Sequence, residues 1–138
     1  MLKQISPLLQ VRDLAASVLF YGDKLGFQTG STEGGFCMVR RDDCLIFLAQ
    51  KTKDVDLTNR AARAVDDDWC NYDLHFHCQP GTLDALYREF REKGVAIPES
   101  YKDGPVTRCY GIRDFSVCDP DGYDLVFGEE CLHEDSND

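Results

Sequence analysis

At 138 residues, with 43% hydrophobic and 29% charged side chains, the chain has the composition of one ordinary globular domain. A formal charge of −10, from 25 acids against 15 bases, repels phosphate backbones; it argues against a nucleic-acid partner and favours cationic small molecules. No apolar run approaches the roughly 20 residues that a membrane span needs, and Met1-Leu2-Lys3-Gln4 lacks the apolar core of a signal peptide, so no membrane partner and a cytoplasmic location are expected.

In chain order, Ile5 to Val11 reads as a strand, after which Asp13 offers an N-cap to a helix whose Leu14, Val18, Tyr21 and Leu25 form one apolar face, ended by Gly26. Phe27 to Thr32 reads as a second strand, leading across the Glu33-Gly34-Gly35 turn into a hairpin. That hairpin has arms Phe36 to Arg40 and Cys44 to Leu48, joined by Arg41-Asp42-Asp43. The segment 51–68 has no β alternation and reads as a linker, with a short helix expected over Thr58 to Ala64. Trp69 to Cys78 resumes as a strand. Thr82 is the expected cap of a helix carrying Leu83, Leu86, Tyr87 and Phe90, with Gly94 as its stop. A short strand over Val95 to Ile97 and a loop from Pro98 to Gly111 follow. A second hairpin then turns at Asp119-Pro120-Asp121-Gly122, where proline fixes φ, Asp121 can bond back to the main chain and glycine accepts a positive φ.

The two halves repeat one β-α-β-β-β order, which signals an internal duplication: a first module over 1–50, a linker over 51–68, a second module over 69–128 and an acidic tail over 129–138. In that tail Glu129, Glu130, Glu134, Asp135 and Asp138 are expected to fray. Seven cysteines, an odd count with no Cys-x-x-Cys pair, read as reduced and mostly buried thiols. Cys109 and Cys118 have no sequence-local base and read as buried and inert.

Leu9-Gln10-Val11-Arg12-Asp13-Leu14, then Ser17, Phe20-Tyr21 and Leu25-Gly26-Phe27, together with the Asp119-Pro120-Asp121-Gly122-Tyr123 turn, resemble the vicinal oxygen chelate superfamily over roughly residues 5 to 128. That superfamily contains glyoxalase I, extradiol dioxygenases and bleomycin-resistance proteins. The resemblance implies an α+β fold in which two βαβββ modules form a curved, cup-shaped mixed sheet with helices outside, often completed by a second chain in a homodimer. Fold analogy leaves function open.

Alternation assigns the strand faces. Leu74, Phe76, Cys78, Tyr123, Leu125 and Phe127 go to the helix side, leaving Asp73, His75, His77, Asp124 and Val126 on the cup side. Metal-dependent relatives carry one ligand on each of four strands, and the resemblance places those positions at Ser6, near Phe47, near Asp73 and at Val126. Serine, phenylalanine and valine cannot supply such a site, so neither a metal nor any other cofactor is expected. A rival reads Asp73, His75 and His77 as three ligands on one strand face, but residues i and i+4 lie about 13 Å apart there. A neighbouring pair remains within reach of one ion; the plainer reading is polar, hydrogen-bonded histidines.

Asp73, Asp114 and Asp124 are the most suggestive acids, because three carboxylates on inferred cup faces demand water or a cation. Trp69, Phe36, Phe47 and Tyr110 could clamp an aromatic ligand, although each such ring also suits a core. Arg113 either forms an ion pair in the sheet or contacts the ligand. The reading is a metal-independent binding protein resembling the bleomycin-resistance branch, with no catalytic residue assigned. Its expected partner is a cationic or aromatic small molecule held in the groove of a homodimer by Phe36, Phe47, Trp69, Asp73, His75, His77, Tyr110, Asp114 and Asp124. Two alternatives stay open: a lyase or dioxygenase of the glyoxalase type with an atypical metal site, and an accessory module that binds a metabolite or protein without turnover.

Overall fold

A computed structural model describes residues 1–53 and 72–131 of the chain. The expected helix over Thr58 to Ala64, the linker from 54 on, Trp69 and the acids beyond 131 lie outside the described residues. The rest divides into two units. One comprises residues 1–53 with the turn Asp119–Gly122; the other comprises 72–118 and 123–131.

The first unit contains strands β1 (Leu8–Val11), β2 (Gln28–Thr29), β3 (Phe36–Arg41) and β4 (Cys44–Gln50), in the sheet order β1-β4-β3-β2. Strands β1 and β4 are parallel, while the other pairings are antiparallel. Helix α1 (Leu14–Leu19) starts where the Asp13 carboxylate accepts from the Ala16 amide at 3.2 Å, then widens into a π turn over Phe20–Lys24. Leu14, Ser17, Tyr21 and Leu25 fall on one face at helical spacing. They are buried, as are Leu9, Val11, Cys37, Val39, Ile46 and Leu48 on one face of the sheet. The chain leaves at Gly26, whose φ of 76° suits glycine. Strands expected over Ile5 to Val11 and Phe27 to Thr32 are shorter than alternation implied, because only the paired residues are strand.

The turn Asp119–Gly122 adds two buried carboxylates to this unit. Tyr21 donates its hydroxyl to Asp119 at 2.9 Å, and Ser17 donates to Asp121 at 3.3 Å. Asp121 also accepts from the Arg12 amide at 3.0 Å and from its guanidinium at 3.2 Å. Buried charge is tolerable there because donors surround it.

The second unit repeats the order, with β5 (Leu74–His77), β6 (Val106–Thr107), β7 (Ile112–Cys118) and β8 (Asp124–Glu130) arranged β5-β8-β7-β6. Its core is aromatic. Phe127 stacks on Phe76 with ring centroids 4.6 Å apart and meets Phe90 of helix α2 (Leu83–Glu92) at 5.2 Å. Phe115 lies 5.5 Å from Phe127.

Several expectations change here. Thr82 does not cap α2; its hydroxyl donates to the Gln79 carbonyl, and the Glu129 carboxylate instead accepts from the Gly81 and Leu83 amides at 3.0 Å. The third strand is Val106–Thr107 rather than Val95 to Ile97, since Val95 is buried after the helix without a strand partner. Glu129 and Glu130 end β8 instead of starting a tail. Among the described residues six cysteines are free and only Cys37 is buried; Cys109, beside a turn, and Cys118, at the end of β7, are exposed. Arg113 spans to Asp84 at 2.7 Å and Glu129 at 3.6 Å, an ion pair within the unit.

Candidate binding cavity

Residues of β7 and β8 alternate between the aromatic core and the opposite sheet face. Phe115, Val117, Leu125 and Phe127 are buried in the core, while Ile112, Asp114, Ser116, Asp124 and Val126 face a cavity of about 620 Å³. His75 of β5 joins them, opposite Val126 in the parallel register. Tyr72, Tyr101, Arg108 and Tyr110 complete most of the wall; Tyr72 and Tyr110 are the exposed rings.

Asp114 is the most constrained charge in the cavity. Its carboxylate is buried and accepts from Arg108 Nε at 3.2 and 3.3 Å, from Arg108 Nη2 at 3.0 Å and from the Tyr101 hydroxyl at 3.3 Å. Arg108 Nη2 also donates to the Tyr101 oxygen at 2.8 Å, and its guanidinium lies 5.9 Å from the Tyr101 ring centroid. The hydrogen bond with Asp114 holds Arg108 above its ordinary range, and burial pushes the Tyr101 phenol up. The sequence expectation that Asp114 demands a cation is therefore met inside the chain, by Arg108. Asp124 is half-buried and also lines the cavity, and its backbone amide donates to Asp73.

His75 is half-buried, and its imidazole sits 5.7 Å from the Tyr72 ring. Burial, then the neighbouring His77, push its pKa below the usual histidine range, opposed by Asp114. It is thus mainly neutral near pH 7.

Of the residues expected at the site, the cavity brings together His75, Tyr110, Asp114 and Asp124. Asp73 is not among its lining residues; its carboxylate accepts from the Asp124 amide at 2.8 Å, tying β5 to β8. His77 is exposed and also outside the lining, beside His75. Phe36 and Phe47 belong to the first unit, where their rings lie 5.3 Å apart. Sequence reasoning missed Tyr72, Tyr101, Arg108 and Ser116. Ser116 was available from alternation with Asp114, but Tyr101 and Arg108 lie in a loop without periodicity.

Metal-dependent branches of the family named above need donors that these positions do not offer. Val126 lines the cavity without one, and Asp73 is committed to a backbone amide. Among the described residues no three His, Cys, Asp or Glu side chains are grouped to hold an ion. The residues do not fit the octahedral site of those branches.

Residues 3–127 match the model of the Glyoxalase/Bleomycin resistance protein/Dioxygenase superfamily. A bleomycin resistance protein of Geobacillus stearothermophilus and one of Staphylococcus aureus strain MRSA252 are each 29% identical over 135 residues, covering 92% of this chain and 96% of theirs. Among solved structures, a bleomycin resistance determinant encoded on transposon Tn5 aligns with TM-score 0.67 at 21% identity, over 95% of this chain and 100% of that one. A bleomycin-binding protein complexed with bleomycin aligns with TM-score 0.65 at 20% identity, over 94% and 99%. At such identities the structures establish the fold.

Proposed function

The chain belongs to the Glyoxalase/Bleomycin resistance protein/Dioxygenase superfamily, and from that premise we propose that it is a metal-independent binder of a cationic, aromatic small molecule of the bleomycin type. The observation that carries this reading is the cavity of the second unit, where Tyr72 and Tyr110 offer exposed rings and Asp124 a carboxylate. A planar cation gains roughly 0.5 to 2 kcal/mol from an aromatic face, and more Coulomb energy from a half-buried carboxylate than from one in bulk water. Arg108 pairs with Asp114, and Asp124 adds a second carboxylate to the cavity lining. No group is assigned a bond-breaking role.

The binder works as a homodimer in this reading. Support comes from the first unit, where Leu8 and Met38, both about half exposed, flank Phe47 in register across three strands and form an apolar row. Such a row favours burial against a second copy.

Calorimetric titration with bleomycin, run with and without EDTA and over a salt series, tests the proposal, with sedimentation of the same samples reporting the dimer. Saturable binding that ignores EDTA, weakens as salt rises, and falls in Tyr110→Ala and Asp124→Asn is the expected result. No heat from bleomycin or any other cationic aromatic compound, or wild-type affinity in both variants, would overturn it.

A further inference from the structure

We propose that His75 and His77 form a two-imidazole binding site for a borderline divalent transition ion such as Ni²⁺, seated over Gly128. The two residues are neighbours on one face of β5, and their ring centroids lie 4.7 Å apart with the planes inclined at 45°. An ion bound by ring nitrogens at about 2.05 Å sits ~3.2 Å from each centroid, so centroids about 4.5 Å apart correspond to a right-angled bite and about 5.2 Å to a tetrahedral one. The observed separation falls between these two values.

The floor of the site supplies a second observation. Gly128 of β8 is directly paired with His77, and it needs no positive φ, so its backbone does not require glycine. What it provides is room. A Cβ at position 128 would come within 2.9 Å of His75 Nε2, 3.1 Å of its Cε1 and 3.2 Å of Ile112 Cγ2, so the missing side chain is what lets the His75 ring lie over β8. Across β8, Gly128 is also paired with Asp114. Among the described residues no hydrogen bond to a protein group holds either imidazole, while His77 is exposed and gives the ion access. Imidazole suits Ni, Cu and Zn, and with only two protein donors the remaining positions are left to water or to a chelating small molecule. The residues differ from the strand positions Ser6, Phe47 and Val126, which carry no comparable donors.

Titration of the reduced, full-length protein with Ni²⁺ alone tests the site, independently of any bleomycin binding. One equivalent is expected to bind saturably without thiolate-to-nickel charge-transfer absorption, and His133→Ala, which alters the third histidine, retains it. His75→Ala and His77→Ala each lose at least about tenfold in affinity, since removing even an outer partner of a metal ligand costs that much. Gly128→Ala keeps both imidazoles but displaces the His75 ring that lies over it, and also loses the ion, with circular dichroism showing each variant folded. Wild-type affinity in His77→Ala, a charge-transfer band that assigns the ion to cysteine, or no saturable binding by the wild type overturns the proposal.

Discussion

Replacing Arg108 by Gln tests whether the cavity is organised by its internal ion pair. Asp114 has a side chain only 7% exposed, whereas Arg108 is 31% exposed. Truncating the guanidinium removes three contacts to the carboxylate and leaves the Tyr101 hydroxyl at 3.3 Å as its remaining side-chain donor. Breaking a fully buried pair from one side costs about 3 to 5 kcal/mol. Water reaches Arg108, so part of that is screened, and we expect about 2 to 3 kcal/mol. At roughly 3 to 4 °C per kcal/mol for a chain of this size, Tm falls by about 6 to 12 °C. The double variant Arg108→Gln/Asp114→Asn leaves two neutral amides that can bond each other, and it should recover about 2 kcal/mol of the loss. Urea denaturation of wild type, both single variants and the double closes the cycle. Additivity to within about 0.5 kcal/mol would falsify the coupling and, with it, the statement that Asp114 is already neutralised. The same proteins separate the two cavity acids: bleomycin affinity rises in Arg108→Gln, where Asp114 is released to the ligand.

Tyr21→Phe removes the hydroxyl that reaches buried Asp119 and should destabilise the protein by about 1.5 to 3 kcal/mol, the range for a hydrogen bond to a charged group. An unchanged urea midpoint would show that the carboxylate finds another donor. Glu129→Ala takes the acceptor from the Gly81 and Leu83 amides at the start of α2 and should cost about 1 to 2 kcal/mol, with amide exchange accelerated at Leu83. Protection at Leu83 equal to wild type would mean that water replaces the carboxylate without loss.

Where local chemistry decides a feature, the sequence already displays it. The β7–β8 hairpin follows from period-two alternation and from a turn that carries both proline and glycine, and the same alternation puts Asp124 and Val126 on the cavity face. Gly94, with φ of 80°, stops α2 as its position suggests. Features that depend on partners distant in sequence were not legible. Thr82 looks like a cap, yet Glu129, more than forty residues away, takes the amides because the sheet brings it there. Asp114 looks like an acid awaiting a ligand, yet Arg108 arrives through a loop whose course no periodicity encodes. Val95 to Ile97 has the composition of a strand, but pairing with β7 fell to Val106–Thr107, where the register to Asp114 and Arg113 is available.

The Asp119–Gly122 turn also bears on how the protein is made. During vectorial synthesis the ribosome releases Arg12, Ser17 and Tyr21 more than ninety residues before the carboxylates that they bind. Until then the nascent first half holds a tyrosine hydroxyl and a serine with no acidic partner, and it can finish packing only after the β7 sequence has emerged. A half-length gene fragment ending before Asp119 therefore encodes an incomplete core, although the repeated strand order invites cutting the chain in two. To express the first half alone, an engineer would have to graft this four-residue turn back onto it.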